Sequence, residues 1–195
     1  MWKKAEQFLA QDKNLKPLII KYGPCKITPS RKKDYFLDLV DAITSQQLSG
    51  KAAATIFARV KEGVGEITPE AIIKTPDSKF RSWGLSRAKT SYVKDLAKNV
   101  INKKLKITEL DKLSDEEVAK ELITVKGIGN WTAEMFLMFS LVRPDVFPED
   151  DLGIRKGIAK LLNNRIKDDK IGQYAKRWAP YRTVAAWYVW KILEN

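Results

Sequence analysis

Residues 122–133 read LITVKGIGNWTA, and this Gly-Ile-Gly turn between two apolar segments constrains the fold more than any other stretch. Glycines so placed end one helix and begin the next within a few residues, which defines a helix-hairpin-helix. The pattern predicts a first helix over residues 115–125, with Gly127 taking the positive φ that stops it. Gly129 lets the chain approach a partner. The amides of Gly129, Asn130 and Trp131 are then the bare donors of the second helix, where the dipole also favours an anion. Such a surface suits a nucleic-acid phosphate, and on this reading Gly127 and Gly129 matter mainly to duplex binding. The plainer alternative is a packing corner in which the glycines serve only the turn.

Helical periodicity dominates the rest of the chain. Apolar residues recur at spacings of three and four over residues 35–43, 52–60, 92–100, 135–142 and 184–193, separated by Gly and Pro breakers. Strand alternation is scarce, with residues 25–27 making at most one short extended piece. About nine or ten helices are expected, in an all-α fold without an independent second domain.

Composition narrows the chemistry further. With no His and one Cys, the chain cannot close a disulfide within itself, build a Cys/His zinc site or hold a four-cysteine iron-sulfur cluster. A Ser-His-Asp triad and a histidine general base are excluded on the same count. Cys25 reads as an apolar filler. Lys and Arg total 36 against 24 Asp and Glu, a formal charge of +12 that suits a polyanionic partner. No apolar run is long enough to span a membrane, and the N-terminal MWKKAEQFLAQDK reads as an amphipathic helix rather than a signal peptide. The expectation is a soluble intracellular protein, in the cytoplasm and nucleoid or, in a eukaryote, the nucleus.

Four motifs in order, ITSQQLSGKAA, WGLSRAK, GIGNWTA and DVFPEDDLGIRKG, resemble the helix-hairpin-helix DNA glycosylases. The resemblance is closest to the alkyl-base branch, the 3-methyladenine DNA glycosylase II type, and runs from about residue 36 to residue 190. It implies a two-lobed helical fold with the active site in the cleft between lobes, residues 36–143 forming one lobe and residues 1–35 plus 144–195 the other. It also implies a monomer acting on damaged double-stranded DNA in base excision repair. Asp151 matches the family's catalytic aspartate. An ionised carboxylate there stabilises the positive charge that develops on the sugar as a base departs. Locally, Asp150 and Asp151 could equally be N-caps of a helix over residues 152–162, and Asp150 is the expected cap.

Family members that also cut the backbone place a lysine directly after the hairpin turn. This chain has Trp131, so a water nucleophile and a monofunctional hydrolase without lyase activity are implied. Lys126 precedes Gly127 and is left to phosphate attraction or solvent. Trp131 offers an aromatic face to an electron-poor alkylated purine of the 3-methyladenine or 7-methylguanine type. Trp190 corresponds to a second pocket tryptophan, and Met135 stands where an aromatic wall can occur; Trp187 reads as core. Gln47 matches the minor-groove plug, with Leu48 and Ser49 beside it, although Ser49 could simply cap the next helix. Ser86 is a further cap, and Arg87 or Lys89 could approach phosphate. The family hairpin often holds a monovalent cation through main-chain carbonyls, here those of Thr124, Lys126 and Ile128; no other cofactor is implied. Two rival readings are a glycosylase for oxidised, deaminated or mismatched bases, and a non-catalytic DNA-binding module.

Overall fold

Short polar residues and glycines cut the chain into helices, and the structure, a computed structural model, describes residues 1–29 and 34–194. In chain order the helices are α1 (Lys3–Leu9), α2 (Lys16–Tyr22), α3 (Tyr35–Ser45), α4 (Gly50–Val64), α5 (Pro69–Lys74) and α6 (Asp77–Ser82). They continue with α7 (Arg87–Ile101), α8 (Asp115–Ile123), α9 (Asn130–Met135), α10 (Leu152–Leu161), α11 (Ile171–Ala175) and α12 (Arg182–Lys191). No strand occurs among the described residues, and the 25–27 segment is instead tied down by side chains: Trp2 Nε1 donates to the Ile27 carbonyl at 2.7 Å and the Cys25 N–H to Glu6 Oε1 at 2.8 Å. The helices outnumber the expectation because α5, α6 and α11 are too short to show a full apolar repeat. Several begin on a side-chain cap, with Asp34, Ser49, Thr68, Ser86 and Ser114 accepting from the N–H three residues ahead. Each cap stabilises its helix by about 1 kcal/mol.

The chain divides into two compact units, Met1–Pro29 with Leu137–Asn195, and Ser30–Phe136. The crossings at 29/30 and 136/137 fall earlier than the expected 35/36 and 143/144. At the second crossing the cause is visible: the Arg143 N–H donates to the Leu137 carbonyl at 2.9 Å, and Thr183 Oγ1 of α12 donates to the Arg143 carbonyl at 2.7 Å. Residues 137–143 are thereby bound to the C-terminal helices.

In the Ser30–Phe136 unit, α3, α5 and α6 pack on α7, burying Leu39, Val40, Ile43, Ile72, Phe80, Val93 and Leu96. Val118 and Leu122 add the apolar face of α8. In the other unit α12 is the central helix, buried on every side through residues 183–189 and accordingly not amphipathic. Gly157 lets α10 lie directly on it, since a Cβ there would sit 2.6 Å from Val189 Cγ1 and 2.7 Å from the Val189 carbonyl oxygen.

Candidate functional site

The hairpin forms as its glycines require. Helix α8 opens on a reciprocal capping box between Ser114 and Glu117 and closes at Thr124; Gly127 follows at φ 85°, and Gly129, at φ −106° and ψ −178°, is the N-cap of α9. The two glycines do different work. A Cβ on Gly127 would meet the Tyr92 ring at 2.2 Å, whereas one on Gly129 would meet nothing within 4 Å. Gly127 is therefore demanded by the fold itself, a requirement separate from any part in duplex binding. Gly129 has no internal reason to be small.

One face of α7 holds this hairpin. Tyr92 packs on Gly127, and Asp95 Oδ2 accepts the Lys126 N–H at 2.9 Å while also accepting Asn99 Nδ2 at 3.1 Å. The loop after α3 is fastened to the same place: Gln46 Nε2 donates to the Gly127 carbonyl at 2.9 Å and to Thr132 Oγ1 at 3.1 Å. Lys89 Nζ donates to the Thr44 and Gln46 carbonyls at 2.8 and 2.5 Å, and loss of solvent pulls the pKa of this amine down. Lys89 is thus a clamp on the end of α3. The clamp presents Gln47, exposed and in the left-handed region at φ 55°, followed by Leu48, 38% exposed. A non-glycine residue held there stores about 1–2 kcal/mol of strain, of the kind that gathers at functional loops. Ser49, also exposed, caps α4 through Ala52 N–H.

On either side of the turn, the Lys126 and Asn130 side chains are exposed, and the Trp131 indole is 41% exposed at the start of α9. Met135 is half-buried. The turn bonds use the carbonyls of Glu121, Leu122, Val125 and Gly129, and Gln46 takes that of Gly127. The carbonyls of Thr124, Lys126 and Ile128 accept none of these bonds. Three uncharged oxygens are a donor set that fits a monovalent cation.

In the other unit, Asp151 occupies the N-cap of α10. Its Oδ1 accepts the Ile154 N–H and the Trp190 indole Nε1–H, both at 2.8 Å. Asp150, expected as the cap, is not one: it projects outward and pairs with Arg155. The cap geometry is satisfied by the acid directly before the first helical residue, and Arg155 draws its neighbour away. Trp190 is half-buried and stacks obliquely on Phe139, with ring centroids 6.0 Å apart and planes at 30°. Phe139 is itself 42% exposed. Trp187 is core, as its spacing indicates.

Tyr92, Asp95, Phe139 and Gly153 were not singled out by the sequence, and Gln46 was read only as part of the minor-groove probe. A polar or aromatic pattern on α7 at positions 89, 92, 95 and 99 carries the one available signal, a helix face that is neither apolar nor wholly charged.

Comparison with known proteins places the chain in a family. The family model for "HhH-GPD superfamily base excision DNA repair protein" matches residues 40–181. The alkylbase DNA glycosidase-like protein mag2 of Schizosaccharomyces pombe is 31% identical over 98% of this chain and 93% of its own length. DNA-3-methyladenine glycosylase 1 of the same organism is 39% identical over 92% of this chain and 82% of its own. A solved structure of a Schizosaccharomyces pombe 3-methyladenine DNA glycosylase in complex with abasic DNA superposes with a TM-score of 0.91 at 36% identity, covering 99% of this chain and 98% of that one.

Proposed function

Since the chain belongs to the HhH-GPD superfamily of base excision DNA repair proteins, we propose that it is a monofunctional DNA glycosylase that excises alkylated purines from double-stranded DNA. The observation that carries this reading is the Asp151 carboxylate, fixed by two N–H donors at the start of α10. As the C1′–N bond breaks, its electron pair leaves with the base and positive charge grows on the deoxyribose. The carboxylate offsets that charge, and a water oxygen bonds to C1′ while its proton passes to Asp151 or to solvent. An alkylated, cationic purine becomes neutral as it takes the electron pair, so it departs easily. The product is an abasic site.

The other roles follow the chemistry of each exposed group. Trp131 gives its face to the base, a contact that favours a cationic ring. Gln47 and Leu48, presented by the Gln46 and Lys89 clamp, fill the gap the flipped nucleotide leaves. Gly129, Asn130 and Lys126 meet backbone phosphate, in keeping with the chain's formal charge of +12. The carbonyls of Thr124, Lys126 and Ile128 would hold a monovalent cation that adds positive charge beside the phosphate. An indole at position 131 cannot form a Schiff base, and Lys126 lies on the other side of Gly127, which supports water as the nucleophile.

The test is an excision panel on duplexes carrying 3-methyladenine, 7-methylguanine, ethenoadenine, hypoxanthine, uracil and 8-oxoguanine, with and without borohydride. Alkylated purines should be released without a trapped adduct, and strands should break only after alkali. Release of 8-oxoguanine alone, or a robust borohydride adduct, would overturn the proposal.

A further inference from the structure

We infer that Trp190 is a positioning residue for the Asp151 carboxylate, acting through its indole N–H, and that Gly153 is the residue that makes room for this contact. The inference rests on the reading of Asp151 as the charge that meets the sugar. An N-cap bond alone leaves a carboxylate free to turn about its last torsion and exchange its oxygens. Here a second donor arrives from a different helix. Ile154 N–H of α10 and Trp190 Nε1–H of α12 both end on Oδ1, each at 2.8 Å, and two donors from different directions on one oxygen fix the plane of the group. The indole is in turn braced by Phe139.

Gly153 shows that the contact is built in at close tolerance. A Cβ at that position would lie 2.9 Å from Asp151 Oδ1, 2.9 Å from Trp190 Cδ1 and 3.0 Å from Trp190 Nε1, inside the hydrogen bond itself. No positive φ is required of Gly153, so its small size answers to this approach and not to the backbone. Donors fixed before the reaction hold the carboxylate without reorganisation at the moment charge develops. A wall for the base would need only the ring of Trp190. A positioning residue needs its N–H.

The experiment compares wild type with Trp190→Phe, Trp190→Leu, Gly153→Ala and Asp151→Asn. It measures single-turnover excision of 3-methyladenine and hypoxanthine, affinity for a duplex with an uncleavable tetrahydrofuran abasic analogue, and melting temperature. Trp190→Phe keeps an aromatic face and loses the donor; it should slow excision of both lesions by about tenfold or more, the size of a lost hydrogen bond to a charged group, with affinity unchanged. Gly153→Ala should reproduce the same loss of rate with affinity unchanged, because its methyl group displaces the indole or the carboxylate and touches nothing else. Full activity in Trp190→Phe with slow excision in Trp190→Leu would make Trp190 a wall and overturn the inference, as would full activity in Gly153→Ala. Asp151→Asn is the separate control: its retention of full activity would remove the catalytic reading itself, whatever the tryptophan variants do.

Discussion

Replacing Gly127 by alanine separates what the hairpin needs to exist from what it needs to grip DNA. Two costs add. A Cβ at φ 85° strains the backbone by about 1–2 kcal/mol. Its approach to 2.2 Å from Tyr92 Cδ2 forces the ring aside, an overpacking cost of about 1–3 kcal/mol. The sum, roughly 2–5 kcal/mol, corresponds in a chain of this size to a fall in Tm of roughly 10 °C. Tyr92→Ala removes the ring and with it only the second cost. In a double-mutant cycle read by urea unfolding, Gly127→Ala and Tyr92→Ala should couple by about 1–3 kcal/mol, leaving the backbone strain uncorrected. A Gly127→Ala protein that melts with wild type, or a cycle with no coupling, would refute the steric reasoning.

The remaining predictions concern charge, DNA and the buried thiol. Asp151→Asn keeps the cap and the bond from Trp190, so it should fold normally, bind damaged duplex and lose excision by about a hundredfold or more in single-turnover assays. Asp150→Asn removes only an exposed pair with Arg155 and should change the rate little. Gly129→Val, whose Cβ would meet nothing within 4 Å and whose backbone is extended, should lose only the cost of a poorer N-cap, about 1 kcal/mol, yet weaken duplex binding, and wild-type affinity should fall steeply with salt. Burial pushes the Cys25 thiol from 9.0 up to about 11. The folded state then keeps a proton that the unfolded state has released, so stability should decline as pH rises from 9 to 11. Cys25→Ala should flatten part of that decline in urea midpoints, and native Cys25 should react slowly with a thiol reagent at pH 8.

Local chemistry was legible in the sequence and distant chemistry was not. The hairpin could be read because Gly127 and Gly129 punctuate two apolar runs, and the caps at Ser49 and Ser86 because their partners lie three residues away. Asp150 and Asp151 were harder to separate, since either acid suits an N-cap and the decision rests on where the first helical residue falls. Nothing local marks the bond from Gln46 to the Gly127 carbonyl, from Asp95 to the Lys126 N–H, or from Trp190 to Asp151. Each joins residues tens of positions apart and exists only after the helices pack. The left-handed Gln47 was equally hidden, because glycine or asparagine is the residue type that signals such a conformation. Lys89 belongs with these: a lysine near a helix start in a basic chain reads as a phosphate contact, and nothing local shows that its amine closes the end of α3.

Helix α10 also sets a limit on how far this protein can be made more robust. Glycines at 153 and 157 lie one turn apart on its inner face, and within a helix a glycine costs up to about 1 kcal/mol relative to alanine. A designer working from helix propensity alone would replace both. At 157 the new methyl group would press on the Val189 backbone, and at 153 on the carboxylate and the indole that holds it. Whatever helix propensity is gained at Gly153 would come out of turnover, so in this one helix turn the residue that suits a helix and the residue that suits repair are different ones.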